Sequence, residues 1–243
     1  MTRTADVVVI GGGVTGVSLA FHLTGLGVER VRVLERRFLA AGGTGRSVGI
    51  IRQLYTTPET SAMVLRSLRV FQRFGETVGG EAGYVGCGAL IGVSPAMRPK
   101  LEATLGVQRA LGIRAELLEP EDVARVEPRI DPEGLGAVLY EPESGYGDPT
   151  AVTLGYADAA RRGGAVIEQG AEVVAIHQAS GRVTGVTIAS RAGGAITLCR
   201  ASCVRWSSGS KRLIDATRSP YSSIRTGAAS WPGHRSMSPP RSA

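Results

Sequence analysis

The chain has 243 residues, of which 43% are hydrophobic and 20% are charged, so it can bury a sizeable core and is not disordered throughout. Three cysteines are too few for a disulfide scaffold, and no run of 18 apolar residues is long enough to cross a membrane. The net charge of +7 falls entirely in residues 200–243, so residues 1–199 are neutral overall. With no recognisable secretion signal at the N-terminus, we expect a cytoplasmic location. Because the basic residues of 200–243 form no recognition motif, we expect no specific nucleic-acid partner.

A strand, a helix and a second strand are predicted at the N-terminus. Val7–Ile10 is a β-branched run followed directly by glycines, which is typical of a buried parallel strand. Residues 14–26 carry apolar side chains on most helical faces, and Gly27 ends the predicted helix. Residues 31–34 form the second strand, which completes a βαβ unit.

The remaining elements alternate between helices and strands and then become mostly strands. Thr57 caps a predicted helix over residues 58–78, and Asp148 caps another that ends at residues 163–164. Between them we expect a strand at 84–93, helices at 97–111 and 121–126, and a strand at 136–140. Strands at 165–168, 172–177, 183–189 and 195–198 follow. This order predicts an α/β nucleotide-binding layer with a β-rich part inserted or attached.

The pattern Gly11-x-Gly13-x-x-Gly16 follows the first strand and opens the first helix, which is the context of a dinucleotide-binding fingerprint. Gly11 permits a tight turn, Gly13 lets a pyrophosphate approach the backbone, and Gly16 allows close packing of helix on strand. We expect the amides of Val14 and Thr15 to face the phosphates at the positive end of the helix.

An acidic residue, Glu35, ends the second strand at the position where a carboxylate accepts hydrogen bonds from ribose hydroxyls. It also disfavours a 2′-phosphate, so NADP is not expected. Arg36 and Arg37 follow it directly. Either they lie against the adenine or they are simply solvated, and the sequence does not choose between these alternatives.

Several segments together resemble the FAD-dependent amine and amino-acid oxidoreductases, the group that contains D-amino-acid oxidase, glycine oxidase and sarcosine oxidase. The resemblance covers residues 5–198 and rests on the fingerprint, Glu35-Arg36, residues 42–52, residues 84–90 and residues 141–149. The stretch 43–52 is most similar to the β subunit of multimeric sarcosine oxidases. The implied fold is a Rossmann-like FAD-binding layer with an attached, incomplete mixed β-sheet substrate part.

The resemblance implies that FAD is the cofactor and that a glycine-rich loop lines its pyrophosphate and flavin side. The loop residues implied are Gly43, Thr44, Gly45, Arg46 and Ser47. A weaker implication is that the backbone of Val173 meets the adenine. The implied reaction is oxidation of the C–N bond of a sarcosine-like or glycine-like substrate by hydride transfer to the flavin. An electron acceptor or subunit partner is possible but not specified by the sequence.

Arg52 is the candidate catalytic residue, because relatives carry a basic residue there near the flavin and a guanidinium can hold a substrate carboxylate by two hydrogen bonds. An ordinary surface arginine is an equally good interpretation. Some relatives have a second basic residue three positions earlier, where this chain has Gly49, and that difference argues against a sarcosine-like mechanism. We predict no metal site, and we interpret Glu141 and Glu143 as loop charges.

Residues 200–243 form a basic tail rich in Ser, Arg and Pro, which we expect to be mostly disordered and separate from a domain at 1–199. Because the family resemblance stops near residue 198, we expect a C-terminally truncated or frame-shifted family member with weak flavin retention. Two alternatives stay open: an NAD-dependent dehydrogenase, since the fingerprint also serves NAD, and a non-catalytic remnant that binds a dinucleotide weakly.

Overall fold

A computed structural model describes residues 3–189, 195–199 and 202–205 of the chain. Five α-helices lie in these residues, in the order α1 Val14–Gly25, α2 Pro58–Gln72, α3 Phe74–Thr77, α4 Arg98–Ala110 and α5 Pro149–Arg162. Short 3₁₀ turns occupy Thr44–Arg46, Pro95–Met97 and Pro120–Arg125.

The described residues also form thirteen strands, several of them only two residues long. In chain order they are β1 Arg3–Thr4, β2 Val7–Ile10, β3 Val31–Glu35, β4 Ile50–Ile51, β5 Ala89–Val93, β6 Glu116–Leu118, β7 Ala137–Glu141, β8 Gly145–Tyr146, β9 Val166–Gln169, β10 Val173–Ala179, β11 Arg182–Ala189, β12 Ala195–Cys199 and β13 Ser202–Arg205.

The centre of the fold is a parallel four-stranded sheet in the order β13-β2-β3-β9. Alternate side chains of its two inner strands point to opposite faces of the sheet, and each face is covered by another layer of the fold. Val9 and Val33 pack with Ala20 of α1 and Ala160 of α5 on one face. The opposite face packs against the second four-stranded sheet, β1-β12-β11-β10. The β-branched runs therefore form the middle layer of a three-layer core.

A second region lies between β3 and α5 in the chain. The antiparallel sheet β5-β7-β6 packs against α4 through Leu101, Leu105 and Leu139. Beside it, β4 and β8 form a two-stranded antiparallel ladder with Ile50 opposite Tyr146 and Ile51 opposite Gly145. This ladder is linked to residue Val85 by a single further bridge to Tyr146.

The predicted α/β class, with a parallel layer and attached β-sheets, is confirmed, but two element predictions were wrong in detail. The helix predicted at 58–78 breaks at Arg73, whose φ of −130° and ψ of 35° leave the helical region just before Gly75. The strand predicted at 84–93 starts only at Ala89, because Gly88 adopts a left-handed φ of 81° that a ladder does not accommodate.

The segment after Arg200, predicted as a tail, contributes a strand at its beginning. β13 pairs in parallel with β2, with Ser202 opposite Val7 and Arg205 opposite Ile10. The prediction of a separate segment starting at Arg200 therefore needs correction at these residues, since backbone pairing with β2 does not require an apolar pattern. Residues 206–243, the rest of the predicted tail, lie outside the described residues.

The N-terminal cap of α5 gives a stability prediction. Oδ1 of Asp148 accepts hydrogen bonds from the backbone N–H groups of Thr150 and Ala151, at 2.7 and 3.0 Å. Asp148→Ala should lower the free energy of unfolding by about 1 kcal/mol, the usual cost of losing a cap. The control is Asp158→Ala in the same helix, which removes only an exposed ion pair with Arg161 and should cost less than about 0.5 kcal/mol. Urea denaturation of both variants measures the difference; equal losses would contradict the capping role.

Candidate functional site

A cleft of about 430 Å³ opens at the carboxyl ends of β2 and β3. This is the edge of a parallel sheet at which ligands bind in open α/β folds. Its walls come from the turn between β2 and α1, the end of β3 and the loop after it. The lining residues are Ile10, Gly11, Gly13, Thr15, Gly16, Glu35, Arg36, Arg37, Ala41, Gly42, Gly43, Thr44 and Arg46.

The glycine turn has the geometry that its sequence predicts. Gly11 has a φ of 111°, a conformation that other residues rarely adopt. A Cβ at Gly16 would collide with the carbonyl oxygen of Gly11, so α1 can start this close to β2 only with glycine there. A Cβ at Gly13 would lie 2.9 Å from Oγ1 of Thr44, so the second glycine also makes room for the opposite wall of the cleft.

The backbone amides at the start of α1 are arranged differently from the prediction. The N–H of Val14, expected to face phosphates, donates to Oγ1 of Thr44 at 3.1 Å. Among the described residues, the N–H groups of Thr15 and Gly16 have no acceptor, and both residues line the cleft. These free donors at a helix N-terminus suit an anionic diphosphate. The Thr44 hydroxyl, which accepts from Val14, keeps its own proton for donation into the cleft.

Glu35 closes the other end of the cleft. Its Oε2 accepts from the N–H of Gly12 at 2.7 Å, and its Oε1 accepts from the N–H of Arg37 at 2.8 Å. The two bonds fix the carboxylate beside the glycine turn while each oxygen keeps a further lone pair for a ribose hydroxyl. Arg36 and Arg37 both line the cleft, and the Arg37 guanidinium lies 5.2 Å from the centre of the Phe38 ring.

The loop after β3 forms the remaining wall and is held by its own backbone. Ala40, with a φ of 62°, accepts a hydrogen bond at its carbonyl from the N–H of Gly45 at 2.9 Å. A Cβ at Gly45 would collide with that carbonyl, so this glycine shapes the loop without lining the cleft. Thr44 and Arg46 are directed to the cleft by the resulting 3₁₀ turn.

The donor set fits the adenosine diphosphate half of a dinucleotide cofactor: free amides and a hydroxyl suit the diphosphate, a fixed carboxylate suits the ribose, and arginines lie on the rim. Nine of the residues predicted to bind the cofactor line this cleft. They are Gly11, Gly13, Thr15, Gly16, Glu35, Arg36, Gly43, Thr44 and Arg46. Ile10, Ala41 and Gly42 also line it but were not singled out from the sequence; each is adjacent in the chain to a predicted segment.

Four predicted cofactor-binding residues do not line the cleft. Val14 packs against the core, Gly45 supports the loop, and the Oγ of Ser47 accepts from the N–H of Gly49 at 3.1 Å. Val173 lies in β10 and packs against the cluster between the two four-stranded sheets. Its contact with adenine stays a prediction.

The predicted catalytic residue, Arg52, lies outside the cleft, directly after β4. Its side chain is exposed, and its guanidinium lies 5.7 Å from the centre of the Tyr55 ring. Ile50, two residues earlier, is 64% exposed, and its cross-strand neighbour Tyr146 is 50% exposed. Arg52 follows directly after the β4–β8 ladder, whose exposed apolar surface is formed by Ile50, Tyr146 and Val85, the residue bridged to Tyr146.

The position where some relatives carry a second basic residue cannot hold a side chain in this fold. Gly49 has a φ of 72°, and a Cβ there would collide with the carbonyl oxygen of Gly147. The same two residues are joined by a hydrogen bond from the N–H of Gly147 to the carbonyl of Gly49, at 3.0 Å. The absence of a basic side chain at residue 49 therefore follows from the backbone conformation of the segment just before Arg52.

The interpretation of Glu141 as a loop charge was wrong. Glu141 ends β7 and is completely buried. Its oxygens accept hydrogen bonds from the N–H of Gln53 at 2.8 Å, from Oγ of Ser144 at 2.7 Å and from Nε2 of Gln108 at 2.6 Å. All three donors are themselves in fully buried residues. Nearby, the hydroxyl of Tyr84 donates to the carbonyl of Glu143 at 2.6 Å, and burial raises the pKa of that tyrosine.

A family model described as FAD dependent oxidoreductase matches residues 6–224, which is most of the chain. The chain belongs to this FAD-dependent oxidoreductase family. The match decides between the two cofactors that the fingerprint allows, FAD and a nicotinamide dinucleotide, in favour of FAD. It also continues beyond residue 198, where the resemblance read from the sequence was expected to end.

Similar proteins within the family act in different ways, according to their names. The chain is 32% identical over 172 residues to human mitochondrial sarcosine dehydrogenase, a match that covers 69% of the chain and 19% of the relative. It is 30% identical over 187 residues to the β subunit of sarcosine oxidase from Rhizobium meliloti, covering 74% and 45%. It is 29% identical over 186 residues to the regulatory subunit of mouse mitochondrial pyruvate dehydrogenase phosphatase, covering 75% and 21%.

Solved structures give the same fold. L-Proline dehydrogenase from P. horikoshii superposes with a TM-score of 0.73 at 25% identity, over 85% of the chain and 53% of that protein. Glycine oxidase from Bacillus cereus superposes with a TM-score of 0.64 at 24% identity, over 83% and 55%. The chain thus spans between about a fifth and just over half of the length of the proteins that it resembles.

The described residues offer neither a cluster of metal ligands nor a helix that could span a membrane. Among them, no group of three or more His, Cys, Asp or Glu side chains is placed to hold a metal ion. None of their helices combines the length and the apolar character that crossing a bilayer requires.

Crowding at Gly13 gives a prediction for cofactor binding. In Gly13→Val the new side chain would displace Thr44 and enter the cleft, so the affinity for FAD should fall at least tenfold. Gly106→Val in α4 is the control, since a Cβ at Gly106 meets no atom within 4 Å and the residue lies outside the cleft. Titration calorimetry measures both; FAD binding by Gly13→Val as tight as in the parent would rule out this assignment.

The carboxylate of Glu35 gives a second prediction for cofactor binding. Glu35→Ala removes a charged hydrogen-bond partner, so binding of FAD should weaken by about 1–3 kcal/mol, or roughly 5- to 150-fold. Glu29→Ala, which removes an exposed carboxylate just before β3, should leave the affinity unchanged. If Glu35→Ala binds FAD normally and only lowers the melting temperature, the carboxylate holds the turn of Gly12 and does not contact the ribose.

Proposed function

We propose that the chain is the FAD-binding part of an oxidoreductase that oxidises the C–N bond of a small amine or amino acid bearing a carboxylate. The observation that carries the proposal is the presence, in one fold, of a cleft for the adenosine diphosphate half of the cofactor and of an exposed arginine, Arg52, outside that cleft. The names of the relatives support the substrate class, since they include dehydrogenases and oxidases of sarcosine, glycine and proline.

The residues of the chain divide the work between two places. The glycine turn, Thr44 and Glu35 bind and orient the dinucleotide, and the free amides at the start of α1 neutralise part of its diphosphate charge. When bound, FAD would supply the redox chemistry as the acceptor of a hydride from the carbon next to the substrate nitrogen, and loss of the N–H proton to solvent would complete the imine. The protein would orient the cofactor and the substrate and supply the positive charge of Arg52.

Arg52 is proposed to hold the substrate carboxylate by a two-point hydrogen bond. The exposed apolar side chains of Ile50 and Tyr146, in the ladder that precedes Arg52, suit the carbon skeleton of a small substrate. Because no side chain fits at Gly49, this arginine acts without a second basic group at that position. The site therefore favours substrates that are recognised by one carboxylate contact.

A test of the proposal is the reduction of bound flavin in the absence of oxygen. The FAD-loaded protein is mixed with sarcosine, glycine or L-proline, and the loss of flavin absorbance is followed. Arg52→Gln should raise the substrate concentration for half-maximal rate about tenfold or more, the scale for losing a charged bidentate contact. Arg114→Gln, at an exposed arginine before β6, is the control and should change nothing.

A second candidate function is non-catalytic binding of FAD as a regulatory or assembly subunit. The match to a phosphatase regulatory subunit over 75% of the chain favours it, and the match to a sarcosine oxidase subunit favours a partner chain. The same experiment separates the candidates: a protein that binds FAD stoichiometrically but whose flavin no amine reduces supports the regulatory function and contradicts the catalytic one.

A further inference from the structure

The strand that directly precedes Arg52 has little to hold it in register. β4 is two residues long and pairs with β8 at only two positions, Ile50 with Tyr146 and Ile51 with Gly145. Side chains alternate between the two faces of a strand, so a slip by one residue would reverse every one of them. Such a short ladder does not specify its own register, and the position of Arg52 needs a further constraint.

The buried carboxylate of Glu141 provides a constraint at the end of the ladder. Its Oε2 accepts from the N–H of Gln53, two residues after β4, and from Oγ of Ser144, directly before β8. One oxygen therefore ties both strands of the ladder together at the same end. The other oxygen, Oε1, accepts from Nε2 of Gln108 and fixes the carboxylate to α4.

The partners of Glu141 are neutral donors, and none of the ion pairs among the described residues includes it. A buried carboxylate is costly to keep unless its oxygens are fully hydrogen-bonded. Here the three hydrogen bonds join β7, α4 and both strands of the ladder. The carboxyl group thus holds these separate elements together at one point.

The alternation of side chains then connects this point to Arg52. Gln53 is completely buried, whereas Arg52, its chain neighbour, is exposed. With the N–H of Gln53 fixed to Glu141, residue 53 stays inside and residue 52 must point outward. An unanchored segment would let the arginine turn away from the surface of Ile50 and Tyr146.

We propose that Glu141 is a positioning residue, which keeps Arg52 on the exposed face of the β4–β8 ladder where it meets a substrate carboxylate. This inference rests on the proposed function of Arg52. It adds that carboxylate recognition depends on a buried side chain which contacts neither substrate nor cofactor.

The test measures carboxylate binding to the full-length, FAD-loaded protein without turnover. Acetate is titrated and its affinity is read from the change in the flavin absorption spectrum, with acetamide, which has the same shape but no charge, as the matched probe. Arg52→Gln should weaken acetate binding about tenfold and leave acetamide binding unchanged. If Arg52→Gln binds acetate like the parent, the proposed function of Arg52 fails, and the role of Glu141 fails with it.

Two substitutions at Glu141 distinguish the effect of side-chain length from the effect of the carboxyl group. Glu141→Asp keeps the charge but is one methylene shorter and cannot reach all three donors, so acetate binding should weaken about fivefold or more. Glu141→Gln keeps the length. Its amide oxygen can accept from Gln53 and Ser144. Its NH₂ can meet Oε1 of Gln108, which has no hydrogen-bond partner among the described residues, once the Gln108 amide turns over. Glu141→Gln should therefore bind acetate within about twofold of the parent.

A double variant shows whether Glu141 acts through the arginine. Adding Glu141→Asp to Arg52→Gln should weaken acetate binding no further, whereas an equal loss in both backgrounds would overturn the proposal. Hydrogen exchange at the Gln53 amide should be faster in Glu141→Asp than in the parent. Thr104→Val, which removes a buried hydroxyl bonded within α4, is the stability control and should not change acetate binding.

A milder variant covers the case in which Glu141→Asp does not fold. Ser144→Ala removes only one of the two bonds to Oε2 and should weaken acetate binding about twofold or more, with acetamide binding unchanged. A Ser144→Ala or Glu141→Asp protein that melts at a lower temperature but binds acetate like the parent would show that the cluster is structural only, and would overturn the proposal.

Discussion

The site depends on how closely the first turn of α1 approaches the end of β2. The carbonyl of Gly11 occupies the space that a Cβ at Gly16 would need, so the helix begins directly above the strand with its free N–H groups at the edge of the sheet. This approach sets where a diphosphate can lie. It also sets where the opposite wall must be, because Thr44 reaches across to accept from Val14. Glu35 in turn is fixed by the N–H of Gly12, within the same turn.

The two halves of the site differ in how far the sequence could predict them. The cofactor half was predictable because its signals are local: three glycines at fixed spacing after a buried strand, and an acidic residue at the end of the next strand. The structure placed most of these residues around one cleft. What the local signals missed was competition for donors, since a threonine side chain from another loop accepts the Val14 amide that was expected to face a phosphate.

The region proposed to bind the substrate could not be predicted in the same way, because its contacts join residues that are far apart in the chain. Glu141 lies in the sequence Glu-Pro-Glu-Ser, which has the composition of a surface turn. Its partners Gln53 and Gln108 are 88 and 33 residues away. No periodicity marks such a residue, since burial here follows from the packing of three separate elements. The strands β4 and β8 were not predicted for a different reason: each is only two residues long, which is too short to show an alternating pattern.

The order of strands in the central layers also has a consequence for synthesis of the chain. β1 and β2 are made first, yet each takes as a neighbour a strand made near the end of the described chain: Arg3 pairs with Leu198, and Val7 pairs with Ser202. At ribosomal rates of about 5–20 residues per second, the first strands wait on the order of 10–40 s for these partners. During that interval β2 has one open edge, and its apolar side chains lack the sheet that later covers them. The edge of β2 therefore stays open to unwanted strand pairing until β13 has been made.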